Sequence, residues 1–237
     1  MVFDLKFCIE AFGALWKAVP LTLFITLWSF VLALILGLLF AIIRYKNVKG
    51  FDWFAKFYIS FVRGTPIMLQ LYLIYYILPY LLKVTLALFG VDFDISKLSP
   101  RFLVIIALAL NMAGFLAETI RGGLNSLGRA EIEAGYSIGM TSAMVYRRIV
   151  IPQVFVLCIP NFSSNLITIL HASALAYFVT LLEVTGTANI LAHNNWNYFE
   201  AFVAAGMVYW ILTMAIEMIT KLVEKVAEKN GYNYKIQ

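Results

Sequence analysis

The segment EIEAGYSIGMTSAMVYRRIVIP, from Glu131 to Pro152, is the one long run of this chain whose pattern suits water and contact with another protein. Its first part has the pattern of a short helix, and Gly139 interrupts that pattern. Thr141 or Ser142 can then cap a second helix from Ala143 to Val150, because hydroxyl oxygens accept hydrogen bonds from the first free N–H groups of a helix. The segment therefore predicts a glycine-hinged helical pair that serves as a docking element.

The rest of the chain is strongly hydrophobic. Of its 237 residues, 62% are hydrophobic and 13% are charged, whereas soluble domains are about half apolar and about a quarter charged. This composition predicts one all-α integral membrane domain over residues 1–237. The formal net charge is +5, but the basic residues are spread over short loops, which argues against nucleic acid as a partner. Cys8 and Cys158 are isolated, which argues against a disulfide framework or a cysteine metal site.

Five apolar runs are long enough to cross a hydrocarbon core of about 30 Å as helices. They cover Pro20–Ile43, Phe57–Leu82, Phe102–Thr119, Ile151–Phe178 and Phe199–Leu222. Residues 3–16 precede them and alternate apolar and polar side chains at helical spacing, which predicts a short amphipathic helix in the membrane interface. The alternative is a frayed extension of the first span.

The lysine and arginine residues predict the orientation of the spans, because cytoplasmic loops carry an excess of these residues. With five spans, thirteen of the eighteen basic residues fall on one side of the membrane and five on the other. The richer side holds Glu131–Pro152 and the C-terminus. We therefore expect these parts in the cytoplasm and the N-terminus outside.

The second span contains the motif Arg63-Gly64-Thr65-Pro66, which weakens a helix and permits irregular backbone. Such backbone is tolerated at membrane depth where protein or a water-filled cavity covers it, so one interpretation is the wall of a substrate path. The other interpretation is a helix start, with Pro66 in the first turn and Arg63 extending towards the interface.

The fourth span carries polar side chains at helical spacing. They are Asn161, Ser164, Asn165, Thr168 and His171, with Ser173 directly after them. An unpaired amide in hydrocarbon costs several kcal/mol, so such a face marks either hydrogen bonds between helices or a polar pathway. The number of polar residues favours a pathway.

Other polar residues lie alone in apolar surroundings. Gln70 and Asn111 are single amides that are either interhelical ties or ligand contacts. Glu118 and Arg121 can pair at helical spacing near the membrane edge. Glu183 either attracts a cationic group or caps a short re-entrant helix.

A catalytic set is not visible in the sequence. It has no Gly-x-Ser-x-Gly elbow, no His-Glu-x-x-His zinc motif and no phosphate-binding loop that ends in Gly-Lys-Ser/Thr. We therefore expect no enzyme activity, cofactor or metal site on this chain. If ATP drives transport, the nucleotide site lies on another chain.

The docking segment resembles a motif of one transporter family. Glu133-Ala134-Gly135, then Gly139, then an apolar stretch that ends at Pro152 are similar to the EAA motif, which belongs to the permease subunits of bacterial ABC importers. Gly135 stands where the second alanine is usual, which exchanges one small residue for another.

Three further segments resemble the permeases for polar amino acids, the histidine, glutamine, arginine and cystine group. RGTPIMLQLYLIYYILP begins at Arg63, NMAGFLAETIRGGL begins at Asn111, and HASALAYFVTLLEVTG runs from His171 to Gly186. The third segment departs most, because residues 171–174 read His-Ala-Ser-Ala where Lys-Asp-Thr-Ser is usual. The missing acidic side chain argues against a conventional cationic amino acid and favours a modified, apolar or sulfur-containing one.

The resemblance implies a type I ABC importer permease fold in a bacterial inner membrane, with a cytoplasmic coupling helix within about residues 127–150. The implied partners are a cytoplasmic ABC ATPase dimer, a second permease chain, an extracytoplasmic solute-binding protein, an amino acid substrate and membrane lipid. The residues expected to couple to the ATPase are Glu131, Glu133, Ala134, Gly135 and Gly139. The residues expected to contact substrate are Thr65, Gln70, Asn111, Asn165, His171, Ser173 and Glu183.

Two alternatives come from other functional classes. An ion-coupled secondary amino acid carrier would use Asn165, His171 and Glu183 and would need no ATPase; such carriers usually contain internal repeats, and none is evident in this sequence. A membrane scaffold without a transport role would leave the polar face of the fourth span unexplained.

Overall fold

The structure is a computed structural model that describes residues 3–95 and 98–229, and every regular element in these ranges is helical. The α-helices are α1 (Leu5–Trp16), α2 (Val19–Tyr45), α3 (Phe51–Gly64), α4 (Ile67–Leu88), α5 (Pro100–Ser126), α6 (Arg129–Ser137), α7 (Ser142–Val145), α8 (Ile151–Ala172), α9 (Val184–Asn195) and α10 (Tyr198–Lys229). A π-helical turn, Tyr146–Val150, joins α7 to α8, and a 3-10 helix, Ser173–Val179, continues α8. The predicted all-α class is confirmed.

Five helical segments are long and apolar enough to cross a membrane, as the sequence predicts. They are α2, α4, α5, the continuous run Ser142–Val179 and α10. The predicted first, third and fifth spans lie inside α2, α5 and α10. The fourth span is longer than predicted because α7 and the π-helical turn run directly into α8.

α5 lies at the centre of the domain, with apolar side chains packed on several sides. Leu108, Met112 and Leu116 of this helix are almost fully buried. α2 runs beside α5 in the same direction, and a Cβ added at Gly37 of α2 would lie 2.8 Å from the Cβ of Leu116. A small residue at this position therefore lets the two helix backbones approach closely.

The N-terminal segment forms a helix of its own, as predicted, and is not an extension of the first span. The Asp4 carboxylate caps α1 by accepting a hydrogen bond from the Phe7 N–H at 3.0 Å. Cys8, Ala11 and Leu15 form the buried face of α1, in one apolar cluster with residues of α10. A turn at residues 17–18 separates α1 from α2.

The predicted second span, Phe57–Leu82, is wrong as one continuous helix. Helix α3 ends at Gly64 and α4 begins at Ile67. Pro66 causes the break, because proline has no N–H to donate and disfavours a helical conformation in the residue before it. Thr65 is accordingly extended, with φ −120° and ψ 146°. The span is α4, and α3 is an amphipathic helix that packs against α5.

Candidate coupling element and substrate path

The docking segment folds as the predicted helical pair. Helix α6 ends at Ser137, and Gly139 turns the chain with φ +80°, a conformation that side-chain-bearing residues rarely adopt. The Thr141 hydroxyl then caps α7 by accepting a hydrogen bond from the Met144 N–H at 3.4 Å. The prediction that the second helix ends at Val150 is wrong, since the helix continues through the π-helical turn into α8.

The two small residues of this helical pair, Ala134 and Gly135, differ in their surroundings. A Cβ added at Gly135 would lie 2.9 Å from Cδ1 of Ile149 and 3.1 Å from Cγ2 of Val145. Gly135 therefore lets α6 pack closely on the chain that follows it. Ala134 remains exposed.

The outer surface of α6 is accessible to a partner. Glu131 and Glu133 are exposed, and two large side chains that were not predicted as contacts, Tyr136 and Ile138, are 43% and 75% exposed. Hydrophobic side chains on such a short polar helix are the signal that could have identified them. This surface combines two carboxylates with an apolar contact.

The break between α3 and α4 is held by two amides. In an unbroken helix the Val62 carbonyl would accept from the N–H of residue 66, which is a proline. Instead, Gln70 Nε2 donates to that carbonyl at 3.0 Å and Asn111 Nδ2 donates to it at 3.2 Å. Asn111 also donates to Gln70 Oε1 at 3.1 Å, and Gln70 donates to the Thr65 hydroxyl at 2.6 Å. The interhelical-tie interpretation of both amides is confirmed.

A polar cavity of about 510 Å³ opens beside this break. Its lining includes three basic residues, Arg44, Lys56 and Arg63, and the acidic residue Glu118. Glu118 pairs with Arg44 and accepts from Arg121 at 2.6 Å, which confirms the predicted Glu118–Arg121 pair. The cavity therefore has an excess of positive charge.

Among the residues that the structure describes, Arg63 is the basic residue of this cavity that forms no ion pair, although its charge still acts on the nearby Glu118 carboxylate. Lys56 pairs with Asp52 at 2.6 Å, and Arg44 pairs with Glu118. The guanidinium carbon of Arg63 instead lies 5.5 Å from the ring centre of Phe115. The position of Arg63 on the cavity wall agrees with the interpretation of its motif as part of a path.

The polar residues of α8 differ in their exposure and in their hydrogen-bond partners. Asn161, Ser164, Thr168 and His171 are exposed along one face of the helix. The Ser164 and Thr168 hydroxyls also donate to carbonyls of the preceding turn. Asn165 instead donates to the Thr119 hydroxyl of α5 at 3.4 Å. The exposed group forms a polar stripe that the single chain leaves uncovered.

Two of the predicted substrate contacts, Ser173 and Glu183, are completely buried. Ser173 donates to the Leu170 carbonyl at 2.7 Å. Glu183 caps α9, where its carboxylate accepts from the Gly186 N–H at 2.9 Å and from the Tyr209 hydroxyl at 2.6 Å. The capping interpretation of Glu183 is confirmed. Burial raises the pKa of this carboxyl group, and the hydrogen bonds partly oppose that rise.

The predicted substrate residues do not form one cluster, and Asn165 lies apart from the others at its hydrogen bond to Thr119. Thr65, Gln70 and Asn111 surround the helix break. His171 lies edge-on to Tyr209, with ring centres 6.3 Å apart, and its Nε2 is 3.1 Å from the Thr213 hydroxyl. Tyr209 thus links His171 to Glu183, a role that a tyrosine within an apolar helix does not reveal in sequence.

Residues 33–228 match the family described as the binding-protein-dependent transport system inner membrane component. The chain belongs to this family. It is therefore a multi-pass inner membrane permease component, which confirms the predicted ABC importer family. In this family the permease subunit is not itself an enzyme, and ATP hydrolysis takes place on partner subunits.

Curated relatives and solved structures agree with the family. The chain is 36% identical to the probable amino-acid permease protein YxeN of Bacillus subtilis (strain 168), over 95% of this chain and 96% of that protein. It is 33% identical to the L-cystine transport system permease protein TcyL of the same organism, over 96% and 93%. A crystal structure of an amino acid ABC transporter with histidines matches with a TM-score of 0.79, 27% identity and coverage of 95% and 99%. The predicted permease fold is thus confirmed.

Proposed function

We propose that this permease component carries an amino acid across the inner membrane as part of an ATP-driven importer, with the polar stripe of α8 and the Arg63 cavity lining the path. The exposed polar stripe carries the proposal, because Asn161, Ser164 and Thr168 would face hydrocarbon unless another permease chain or a water-filled path covered them. The secondary-carrier alternative relies on Glu183, but its carboxylate caps a helix.

The names of the relatives and the charge of the Arg63 cavity indicate the class of substrate. Relatives at 33%, 34% and 30% identity are named for L-cystine, octopine and arginine transport, and each of these compounds carries a carboxylate. The guanidinium of Arg63, which forms no ion pair, offers a bidentate partner for such a group. The excess positive charge of the cavity lining disfavours a cationic side chain, which supports a modified, apolar or sulfur-containing amino acid.

The predicted contacts take different roles in this proposal. Thr65 and His171 remain candidate substrate contacts, together with the exposed residues of α8. Gln70 and Asn111 position the break that shapes the cavity. Asn165, Ser173 and Glu183 hold the surrounding helices through hydrogen bonds within the chain.

Coupling to ATP would pass through α6. Its exposed carboxylates, Glu131 and Glu133, would dock on a cytoplasmic ATPase dimer, while Ala134 and Ile138 provide apolar contact. The thirteen-to-five distribution of basic residues supports a cytoplasmic position for α6 and an outside N-terminus. A second permease chain would enclose the path opposite the polar stripe, and an extracytoplasmic binding protein would deliver the substrate. ATP hydrolysis needs no cofactor or metal on this chain.

Reconstitution in liposomes tests this function. The chain is combined with candidate ATPase subunits and a loaded binding protein, and ATP hydrolysis and uptake of labelled amino acid are measured. We expect uptake that requires ATP and stimulation of hydrolysis by the binding protein. Uptake driven by an ion gradient without ATPase subunits would contradict the proposal and support a secondary carrier.

A charge reversal on α6 tests the docking site in the same assay. Glu133→Arg should reduce both ATPase association and uptake, because it places a cation where the surface is acidic. Glu228→Arg, a matched reversal on an exposed residue near the end of α10, should leave both unchanged. Equal effects of the two variants would contradict the assignment of the docking site to α6.

A further inference from the structure

An apolar groove of about 470 Å³ lies between α2, α5 and α8. Leu38 and Ile42 of α2 form one wall, Leu124 of α5 forms the floor, and Phe155 of α8 forms the other wall. This volume is in the range of about 300–1,000 Å³ that is usual for pockets that hold small organic molecules. The groove is thus large enough for a flexible hydrocarbon chain.

The groove faces away from the proposed path. Phe155 in the groove and Ser164 in the polar stripe are nine residues apart, which at about 3.6 residues per turn places them about half a turn apart on α8. The surface of α2 next to the groove is also apolar, with Ile35 61% exposed and Leu39 52% exposed. Such a surface at membrane depth suits lipid, and a second permease chain on the polar stripe would leave the groove open.

One basic residue lies among the lining residues of the groove. This residue is Lys46, which follows the last residue of α2, and Tyr146 also lines the groove. Lys46 is exposed and forms no ion pair within the described part of the chain. An apolar groove with an exposed, unpaired lysine is complementary to a hydrocarbon chain with an anionic head group.

We propose that this groove binds an acyl chain of an anionic phospholipid, with the phosphate at Lys46. Assignment to the cytoplasmic leaflet rests on the orientation given under the proposed function, whereas the binding itself does not. The class of ligand is a glycerophospholipid with net negative charge, because a zwitterionic head group would place its own cation near Lys46.

The position of the groove gives the lipid a role in coupling. Tyr146 belongs to the π-helical turn that joins the docking element to α8, and Ile151 and Val154 of the groove lie just beyond it. π-helical turns are rare and often occur at functional sites. A lipid packed against this turn supports it on one side, so lipid occupancy stabilises the junction through which α6 moves α8.

Lipid titration monitored by native mass spectrometry tests the site on the complete transporter. Phosphatidylglycerol and phosphatidylcholine are compared as probes, and inorganic phosphate tests whether a free anion suffices. We expect phosphatidylglycerol to bind more tightly than phosphatidylcholine, and inorganic phosphate to leave phosphatidylglycerol bound. Equal binding of the two lipids, or displacement by inorganic phosphate alone, would overturn the proposal.

Matched variants place the bound lipid in the groove. Lys46→Gln should weaken phosphatidylglycerol binding by about fivefold, the factor that corresponds to about 1 kcal/mol for one basic residue at an anionic surface. Lys49→Gln, an exposed lysine of the same loop outside the groove, should leave binding unchanged. Equal effects of the two variants would show that lipid binding depends only on surface charge and would overturn the site.

A second variant tests whether protein, rather than lipid, fills the groove. Leu38→Trp narrows it at a residue that is 47% exposed in the chain, so the change does not disturb a buried core. We expect this variant to elute as the unaltered complex does and to bind less phosphatidylglycerol. Disulfide-linked permease pairs from Leu38→Cys would place a second chain in the groove and contradict lipid binding.

Discussion

At the residue scale, one backbone carbonyl explains why two amides lie inside apolar helices. Pro66 removes the N–H that would have satisfied the Val62 carbonyl, and Gln70 and Asn111 replace it. A buried carbonyl without a partner is costly, so the break and the amides depend on each other. Sequence showed that both amides needed partners, but it could not show which carbonyl they reach, because that carbonyl is identified only by the packing of α3 on α5.

Asn111→Leu should lower the free energy of unfolding by about 1–3 kcal/mol, because it leaves buried acceptors without a donor. Asn161→Leu, which changes an exposed amide of the polar stripe in the same way, should leave stability nearly unchanged and reduce transport. Thermal unfolding in detergent, followed by tryptophan fluorescence, distinguishes the two. An Asn111→Leu protein with an unchanged free energy of unfolding would show that the hydrogen bonds of Asn111 do not contribute to stability.

Glu183 gives a second prediction at this scale. Because burial raises the pKa of its carboxyl group, the neutral form is favoured relative to a solvent-exposed carboxyl, and Glu183→Gln mimics that form. Gln can still accept from the Gly186 N–H, so transport and stability should largely persist. Glu183→Ala removes the cap of α9 and should cost about 0.5–2 kcal/mol. Loss of transport in a stably folded Glu183→Gln protein would instead assign the carboxylate a charge-based substrate contact.

At the element scale, local signals predicted the helical pair, whereas the second span needed tertiary information. The cap at Thr141 and the turn at Gly139 depend on neighbouring residues, so sequence identified both. The hydrophobic run across Pro66 concealed the break, because residues on both sides are apolar. The π-helical turn has no local side-chain signature and was not predicted.

Gly139 should be the least replaceable residue of the docking element. Its φ of +80° costs a side-chain-bearing residue about 1–2 kcal/mol, and proline cannot adopt it because its φ is fixed near about −65°. Gly139→Ala should reduce the uptake obtained per ATP hydrolysed, and Gly139→Pro should reduce it further, while membrane insertion stays intact. The measurement is the ratio of substrate taken up to ATP hydrolysed in liposomes.

Gly13→Ala is the matched control, because an added Cβ there meets open space within a regular helix. It should leave the uptake ratio unchanged. Normal coupling in Gly139→Pro would show that the turn between α6 and α7 does not transmit movement to α8.

In the whole chain, the polar stripe of α8 is continuous with the second helix of the docking element. α7, the π-helical turn and α8 form one segment, Ser142–Val179, and we propose that a displacement of the docking element is passed along this segment to the stripe. The long apolar runs of the sequence predicted the five spans, because a helix satisfies all of its backbone hydrogen bonds while it crosses the lipid.

Cysteine accessibility of the stripe tests the proposed ATP-driven path, because a path lined by the α8 stripe that opens in turn to the two sides of the membrane changes the side from which the stripe is reached. Asn161→Cys is labelled with a membrane-impermeant thiol reagent from either side of liposomes that contain the complete transporter; Cys8 and Cys158 are buried and contribute little background. We predict labelling from the cytoplasmic side without nucleotide, and labelling from the outside when a non-hydrolysable ATP analogue is bound. Labelling from the same side in both conditions would contradict the account.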